Sequence, residues 1–192
     1  VKDKEGCQRM SDTVEVVNPE QLVIFDYEID NHVSCFGEAD GQVTLFATGG
    51  TGQLEYGYVQ SITQYDIDPS VAVPAGTWSF VVRDENGCTD TVHNVTINQP
   101  NEIIVDVNVL NNNQCYLGED GSLEVIASGG TGGLEYAISS DPGNYTQQTV
   151  YTELAAGTYT ISVRDGTGCI VTSDPVTIGE PVPFLVNFDI LQ

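Results

Sequence analysis

The chain has 192 residues, 40% hydrophobic and 17% charged, which is enough apolar material for a globular core and too little charge for a disordered tail. Its 28 acidic residues against five Lys and Arg give a formal net charge of −23, a surface that repels phosphate backbones and anionic lipid and so speaks against nucleic-acid binding. No stretch approaches the ~18 apolar residues of a membrane-spanning helix, so direct membrane insertion is not expected.

Read from the N-terminus, the sequence repeats itself. The slots filled by Lys2-Asp3, Cys7 and Pro19 return as Arg83-Asp84, Cys88 and Pro100, and again as Arg164-Asp165, Cys169 and Pro181, each time 81 residues on. Residues 35–58 (CFGEADGQVTLFATGGTGQLEYGY) return at 115–138 (CYLGEDGSLEVIASGGTGGLEYAI) with an offset of 80, and AGTWSFVVRD at 75–84 returns as AGTYTISVRD at 156–165 with an offset of 81. The prolines close the units. Residues 20–100 and 101–181 are expected to be complete repeats, 1–19 the C-terminal strands of a preceding repeat, and 182–192 the first strand of a following one.

Within a unit the pattern is that of strands: Val, Ile, Thr and Tyr dominate between turn residues, and helical periodicity is missing. In the second unit Ile103 to Val109 is the first predicted strand. Leu123, Val125 and Ala127 alternate along the next with their side chains inward, as do Val43, Leu45 and Ala47 in the first unit. Leu134 to Ile138 is predicted to continue that sheet. Tyr159, Ile161 and Val163 form a later inward row, mirrored by Trp78, Phe80 and Val82, and Val176 with Ile178 closes the unit, mirrored by Val95 and Ile97. Asp40-Gly41 and Asp120-Gly121 are read as turns tolerant of positive φ, Gly49 to Gly52 and Gly129 to Gly132 as links between strands, and Asn86-Gly87 and Thr167-Gly168 as the turn of the last hairpin. Six or seven short strands per unit predict an all-β fold of tandem immunoglobulin-like β-sandwich repeats, with Trp78 and Tyr159 at the position of a corner aromatic.

A sandwich of this size is only marginally stable alone, and five regularly placed cysteines suit an oxidising compartment. Pairing Cys35 with Cys88 and Cys115 with Cys169 gives one bridge per unit, worth roughly 4 kcal/mol for a loop of about 54 residues, and leaves Cys7 to a partner outside this stretch. The first loop and the last hairpin of a regular sandwich lie at opposite ends, however, so links between units, such as Cys88 to Cys115, stay open.

The combination Cys-x-x-x-x-Asp-Gly, Gly-Gly-Thr, Ala-Gly-Thr-Tyr/Trp, Arg-Asp-x-x-Gly-Cys and a closing Pro resembles the SprB-type repeat of cell-surface adhesins in gliding Bacteroidota. Gln53-Leu54-Glu55-Tyr56 and Gly133-Leu134-Glu135-Tyr136 stand where that family often has Pro-Tyr-x-Tyr. The resemblance implies a non-enzymatic structural and adhesive segment of a large secreted protein. It further implies attachment to the outer membrane of a Gram-negative bacterium, with neighbouring repeats and a polysaccharide or solid surface as partners. It also implies O-glycosylation at Asp-Ser/Thr-apolar sites, here Thr13 (Asp12-Thr13-Val14) and Thr91 (Asp90-Thr91-Val92). Asn94 and Asn144 head N-glycan sequons of no expected consequence in a bacterium.

Catalysis is not expected. His32 aligns with Asn112 and His93 with Asp174, so neither recurs between units. The cysteines lack C-x-x-C spacing, and Gly-Gly-Thr-Gly is followed by no Lys-Ser/Thr of a phosphate loop. The recurring acidic loop (Glu38 and Asp40; Glu119 and Asp120) is the candidate for calcium, weighed against a simple hairpin turn with solvated carboxylates. No other cofactor is expected. The segments that differ most between units, 57–73 and 137–154, carry Tyr58, Tyr65, Tyr145 and Tyr151, candidates for stacking on sugars or else ordinary strand residues. A carbohydrate-binding array and the accessory repeats of an exported enzyme are the rival readings.

Overall fold

The computed structural model describes residues 4–10, 13, 15–59 and 65–186, so Asp12 and Val14 of the first glycosylation motif and the end of the C-terminal segment lie outside the described residues. The structure is all-β. Residues 20–100 form β1 (Val23–Asn31), β2 (Gly41–Thr48), β3 (Glu55–Tyr58), β4 (Ser70–Val73), β5 (Gly76–Arg83) and β6 (Thr89–Ile97). Residues 101–181 form β7 (Asn101–Asn111), β8 (Gly121–Gly130), β9 (Glu135–Ile138) and β10 (Val150–Leu154), followed by β11 (Gly157–Tyr159), β12 (Ile161–Arg164), β13 (Ile170–Thr172) and β14 (Val176–Ile178).

The sheet orders are β1-β2-β4 and β3-β5-β6 in the first repeat, and β7-β8-β10 and β9-β12-β13 in the second, with β11 paired to β14. In the first repeat the first, second and fourth strands lie on one sheet and the third, fifth and sixth on the other, which is the immunoglobulin-like arrangement; in the second repeat the fifth and sixth positions are each split, into β11 and β12 and into β13 and β14. The corner aromatic is in place, for the Tyr159 hydroxyl donates to the Ala155 carbonyl at 2.9 Å. One expectation is corrected. Leu134 to Ile138 does not extend the sheet of β8; β9 pairs with β12, Ile138 opposite Ile161. The left-handed Gly129, Gly130 and Gly132 (φ 95, 64 and 82) turn the chain across to the facing sheet.

By compactness the chain groups into Val1–Glu28, Thr44–Val71 and Trp78–Val95 as one unit, and Ile29–Val43, Ala72–Thr77 and Thr96–Gln192 as another. The first unit buries Leu22, Leu45, Phe80, Val82 and Val95. In the second, Ile103, Leu123, Val125, Tyr136, Ile138, Ile161, Val163 and Ile178 form one buried cluster, against which Cys35 packs. The alternation read from the sequence is therefore the core pattern, as period-2 strands with one wet face require.

The Asp-Gly pairs serve a different purpose from the one expected. Gly41 and Gly121 are not in the left-handed region. A Cβ on Gly41 would stand 2.5 Å from the Ile97 side chain and 2.9 Å from the Val73 carbonyl, and one on Gly121 would stand 2.6 Å from Ile178 and 2.7 Å from the Leu154 carbonyl. Glycine is needed there for close approach.

Strand direction places the loops. β7, β8 and β10 alternate antiparallel, and β9 runs antiparallel to β12. Since β8 and β9 meet in a short link, β9 and β10 run the same way, and residues 139–149 must travel back along the sandwich between them. The β7–β8 loop, carrying Cys115, therefore lies at one end of the repeat and the β12–β13 hairpin, carrying Cys169, at the other.

Candidate functional site

Each end of a repeat is built by a short list of hydrogen bonds. In the hairpin, Arg-Asp-x-x-Gly-Cys folds around its aspartate. The Asp165 carboxylate, 4% exposed, accepts from the backbone N–H of Thr167 (2.9 Å) and Cys169 (2.9 Å) and from the Thr167 hydroxyl (2.8 Å) through one oxygen, and from the Thr131 N–H (2.8 Å) through the other. Asp84 does the same for Asn86 (3.0 Å), Cys88 (2.8 Å) and Thr51 (2.9 Å). Burial pushes both carboxyls up, and the backbone donors outweigh it, so both stand below the usual carboxylate range. The aspartate thus closes its own turn and ties it to the glycine link of the facing sheet.

The preceding arginine turns to a glutamate. Arg83 bonds Glu55, and Arg164 bonds Glu135 at 2.6 Å, while each guanidinium lies over a tyrosine ring, Tyr65 at 4.1 Å and Tyr145 at 4.2 Å. In a chain whose basic residues after position ten are Arg83 and Arg164, two arginines recurring 81 residues apart each opposite a recurring Leu-Glu-Tyr signal a dedicated pair. These partly exposed pairs favour geometry more than stability.

At the opposite end the loop of the first cysteine has its own frame. Ser34 N–H donates to Asp40 (3.0 Å), Glu38 N–H to the Cys35 carbonyl (3.1 Å), Gly37 N–H to the Gln99 side chain (3.0 Å) and Val33 N–H to the Asn98 carbonyl (3.0 Å). Eighty residues on, Gln114 N–H donates to Asp120 (3.1 Å), Gly118 N–H to the Cys115 carbonyl (3.0 Å), Leu117 N–H to Glu180 (2.7 Å) and Asn113 N–H to the Gly179 carbonyl (2.9 Å). Even the backbone at the crest is kept: Gly37 has φ 82, and Leu117 holds φ 56 although it is not glycine. Leu117→Gly should raise stability by about 1 kcal/mol, because relief of the left-handed strain outweighs the loss of a side chain that is largely in solvent. Denaturant unfolding measures this; a fall in stability would show the leucine side chain to be holding the loop.

A disulfide joins Cys35 to Cys169 across 134 residues, with Cα atoms 5.7 Å apart, while Cys88 and Cys115 are free and exposed. The expected pairs, Cys35 with Cys88 and Cys115 with Cys169, are thus replaced by a link from the loop of one repeat to the hairpin of the next. The reason is the strand direction above: within a repeat the two cysteines sit at opposite ends, beyond the roughly 7 Å Cα separation a disulfide spans. A groove of about 390 Å³ opens beside the bond, lined among others by Phe36, Glu38, Pro100, Ile103 and Ile170.

The other sequence candidates fall as follows. Asp40 and Asp120 cap the loop backbone, and the Ser34 hydroxyl and N–H hold the Asp40 carboxyl low; Glu38 and Glu119 are exposed. Among the described residues, no three His, Cys, Asp or Glu side chains gather as a metal site would require. Tyr65 and Tyr145 offer a ring face to arginine, Tyr58 meets Trp78 edge-on at 5.2 Å, and burial pushes the half-buried Tyr151 phenol up. Thr91 lies within β6, where the neighbouring Asp90 carboxylate accepts from Ile24 N–H at 2.7 Å; Thr13 is exposed. His32 accepts from Asn98 N–H, and His93 meets the Ser79 hydroxyl at 2.9 Å. The caps Gln99 and Glu180 and the pairing glutamates were not singled out by the sequence, although their recurrence 80 or 81 residues apart was the available signal.

The family model described as SprB repeat matches residues 31–58, which span the Cys35 loop, β2 and β3, so the resemblance drawn from the sequence holds over that stretch. Comparison with curated proteins returns no match. Among solved structures, the C-terminal 282-residue fragment of intimin, in complex with the intimin-binding domain of its translocated receptor, aligns with a TM-score of 0.41 and 15% identity over 83% of this chain and 64% of that one. The chain thus spans less than two thirds of that intimin chain. Domains 4 and 5 of the S-layer protein SbsC align with a TM-score of 0.28 and 16% identity over 85% of this chain and 98% of that one. For SbsC domains 4–9 the values are 0.27 and 15% over 88% and 32%.

Proposed function

We propose that this chain is a non-enzymatic structural and adhesive segment of a large secreted surface protein, held at the outer membrane of a gliding-type bacterium, in which small sandwiches follow one another as a rod. The observation that carries the reading is the bond between Cys35 and Cys169. A catalytic domain gains little from stapling one repeat to the next, whereas a chain that must transmit tension outside the cell gains a joint that cannot be pulled open without breaking a covalent bond. Disulfides persist in oxidising compartments, which agrees with export. A net charge of −23 keeps such an array soluble and apart from like-charged neighbours. The SprB repeat at 31–58 supports the surface location.

The adhesive half is tested under flow. Beads coated with the oxidised chain should stay on glass or agarose at shear that removes beads coated with an unrelated protein of equal charge. Equal release of both would remove adhesion from the proposal.

A further inference from the structure

The free thiols of Cys88 and Cys115 lie in loops whose backbone N–H groups are held as those of the joined pair are. Around Cys169, Asp165 N–H donates to the Cys169 carbonyl at 3.0 Å, Gly168 N–H to the Asp165 carbonyl at 3.1 Å, and Gly166 N–H to the Thr131 carbonyl at 2.9 Å; around Cys88 the equivalent bonds, from Asp84, Gly87 and Glu85, are 3.0, 3.0 and 3.1 Å. Gly87 and Gly168 share the left-handed turn at φ 84 and 95. The Cys115 loop copies the Cys35 loop in the four hydrogen bonds given above, with Tyr116 exposed in the slot of the exposed Phe36. One loop and one hairpin are used on each other, and the other loop and hairpin are prepared in the same way and left open.

We infer that Cys88 and Cys115 are the two open halves of this same joint, Cys115 accepting the hairpin cysteine of one further copy of the repeat and Cys88 the loop cysteine of another. This rests on the array reading and deepens it: the joint is then a polar connector, always loop to hairpin, and one staple per junction runs along the whole array. The occupant is set by the geometry of the formed pair. A Cys115 partner must be a cysteine whose N–H is held by an aspartate four residues earlier, as Asp165 holds Cys169, and in this chain Cys88 is held in that way by Asp84. Two copies of the chain therefore suffice to make the bond. The chemistry needs a disulfide oxidant such as oxidised glutathione: the Cys115 thiolate attacks it and releases one glutathione thiol, then the Cys88 thiolate of the second copy displaces the other, so two protein thiols are oxidised and one glutathione disulfide is reduced to two thiols.

The test uses the full chain with Cys7→Ser throughout, so that the further hairpin cysteine of the sequence does not compete, incubated in a glutathione redox buffer. Copies bearing Cys88→Ser keep only the Cys115 half, and copies bearing Cys115→Ser keep only the Cys88 half. Each variant alone should remain monomeric on a non-reducing gel, whereas their mixture should give a covalent dimer and no larger species; the chain with both cysteines should give a ladder. With one variant isotopically labelled, peptide mapping should find Cys88–Cys115 in mixed pairs and Cys35–Cys169 within every copy. The proposal is overturned by a mixture that stays monomeric, by dimers in either variant alone, or by a Cys88–Cys115 bond confined to single copies of the ladder-forming chain. A map without Cys35–Cys169 would instead remove the linked-repeat reading underneath it, so the two failures are told apart.

Discussion

Pulled by its ends, the oxidised chain should release far less length than the reduced one. The Cys35–Cys169 bond encloses 134 residues that cannot be drawn out until it breaks. At about 3.4 Å per extended residue the hidden contour length is roughly 450 Å, a difference that single-molecule force spectroscopy resolves directly. The same bond acts at equilibrium. Constraining a loop of that size removes denatured-chain entropy worth roughly 5 kcal/mol as an upper figure, so Cys35→Ser should melt well below the oxidised chain and coincide with the reduced one. Cys88→Ser and Cys115→Ser, both at exposed thiols, should leave the melt of the isolated chain almost unchanged. If reductant leaves both the extension and the melting temperature where they were, the joint contributes nothing and the tensile reading fails.

Asp165→Ala is expected to be the most damaging polar substitution in the second repeat. It removes the acceptor for three backbone N–H groups and a hydroxyl in a nearly buried turn, and the lost carboxylate is itself packed close to Gly130, where an added Cβ would stand 2.9 Å from its Oδ2. Orphaned buried donors cost more than the bonds themselves contribute, and a fall in melting temperature of roughly 15 °C follows for a domain of this size. The disulfide should feel it too, since Asp165 holds the Cys169 N–H; faster reduction of Cys35–Cys169 by dithiothreitol is the second readout. The pH dependence has a definite sign. The folded carboxyl titrates below its unfolded value, so its stabilisation is complete above the unfolded value near 4 and is lost as pH falls through the lower folded one. The gap between wild type and Asp165→Ala should therefore be widest at neutral pH and close in strong acid. A gap that stays constant from pH 7 to pH 2 would mean that packing, and not the charged acceptor, holds the turn.

Val43 with Leu45, Leu123 with Val125, and Ile161 with Val163 are buried as read, because an alternating strand can put apolar side chains on one face in only one way. The glycine links and the hairpin turns were legible for an equally local reason: Gly50, Gly87, Gly130 and Gly168 occupy left-handed backbone that other residues resist. Gly41 and Gly121 misled because glycine has a second use, and only the approach of Ile97 and Ile178 separates the two. The tyrosines of the unlike segments read as candidates for stacking on sugars or else as ordinary strand residues, and the pairing of Tyr65 and Tyr145 with arginines distant in sequence lay outside both readings.

What the sequence determined by itself was the period, the strand content and the places where the chain turns, since each depends on neighbours within a few residues or on a count along the chain. What only the tertiary structure decided was which sheet β9 joins, which glutamate meets each arginine and, above all, which cysteine reaches which. That last choice depends on the end of the sandwich at which a loop emerges. The crossing segment between β9 and β10 and the antiparallel order of the sheets settle it, and both are properties of the assembled fold rather than of any stretch of residues.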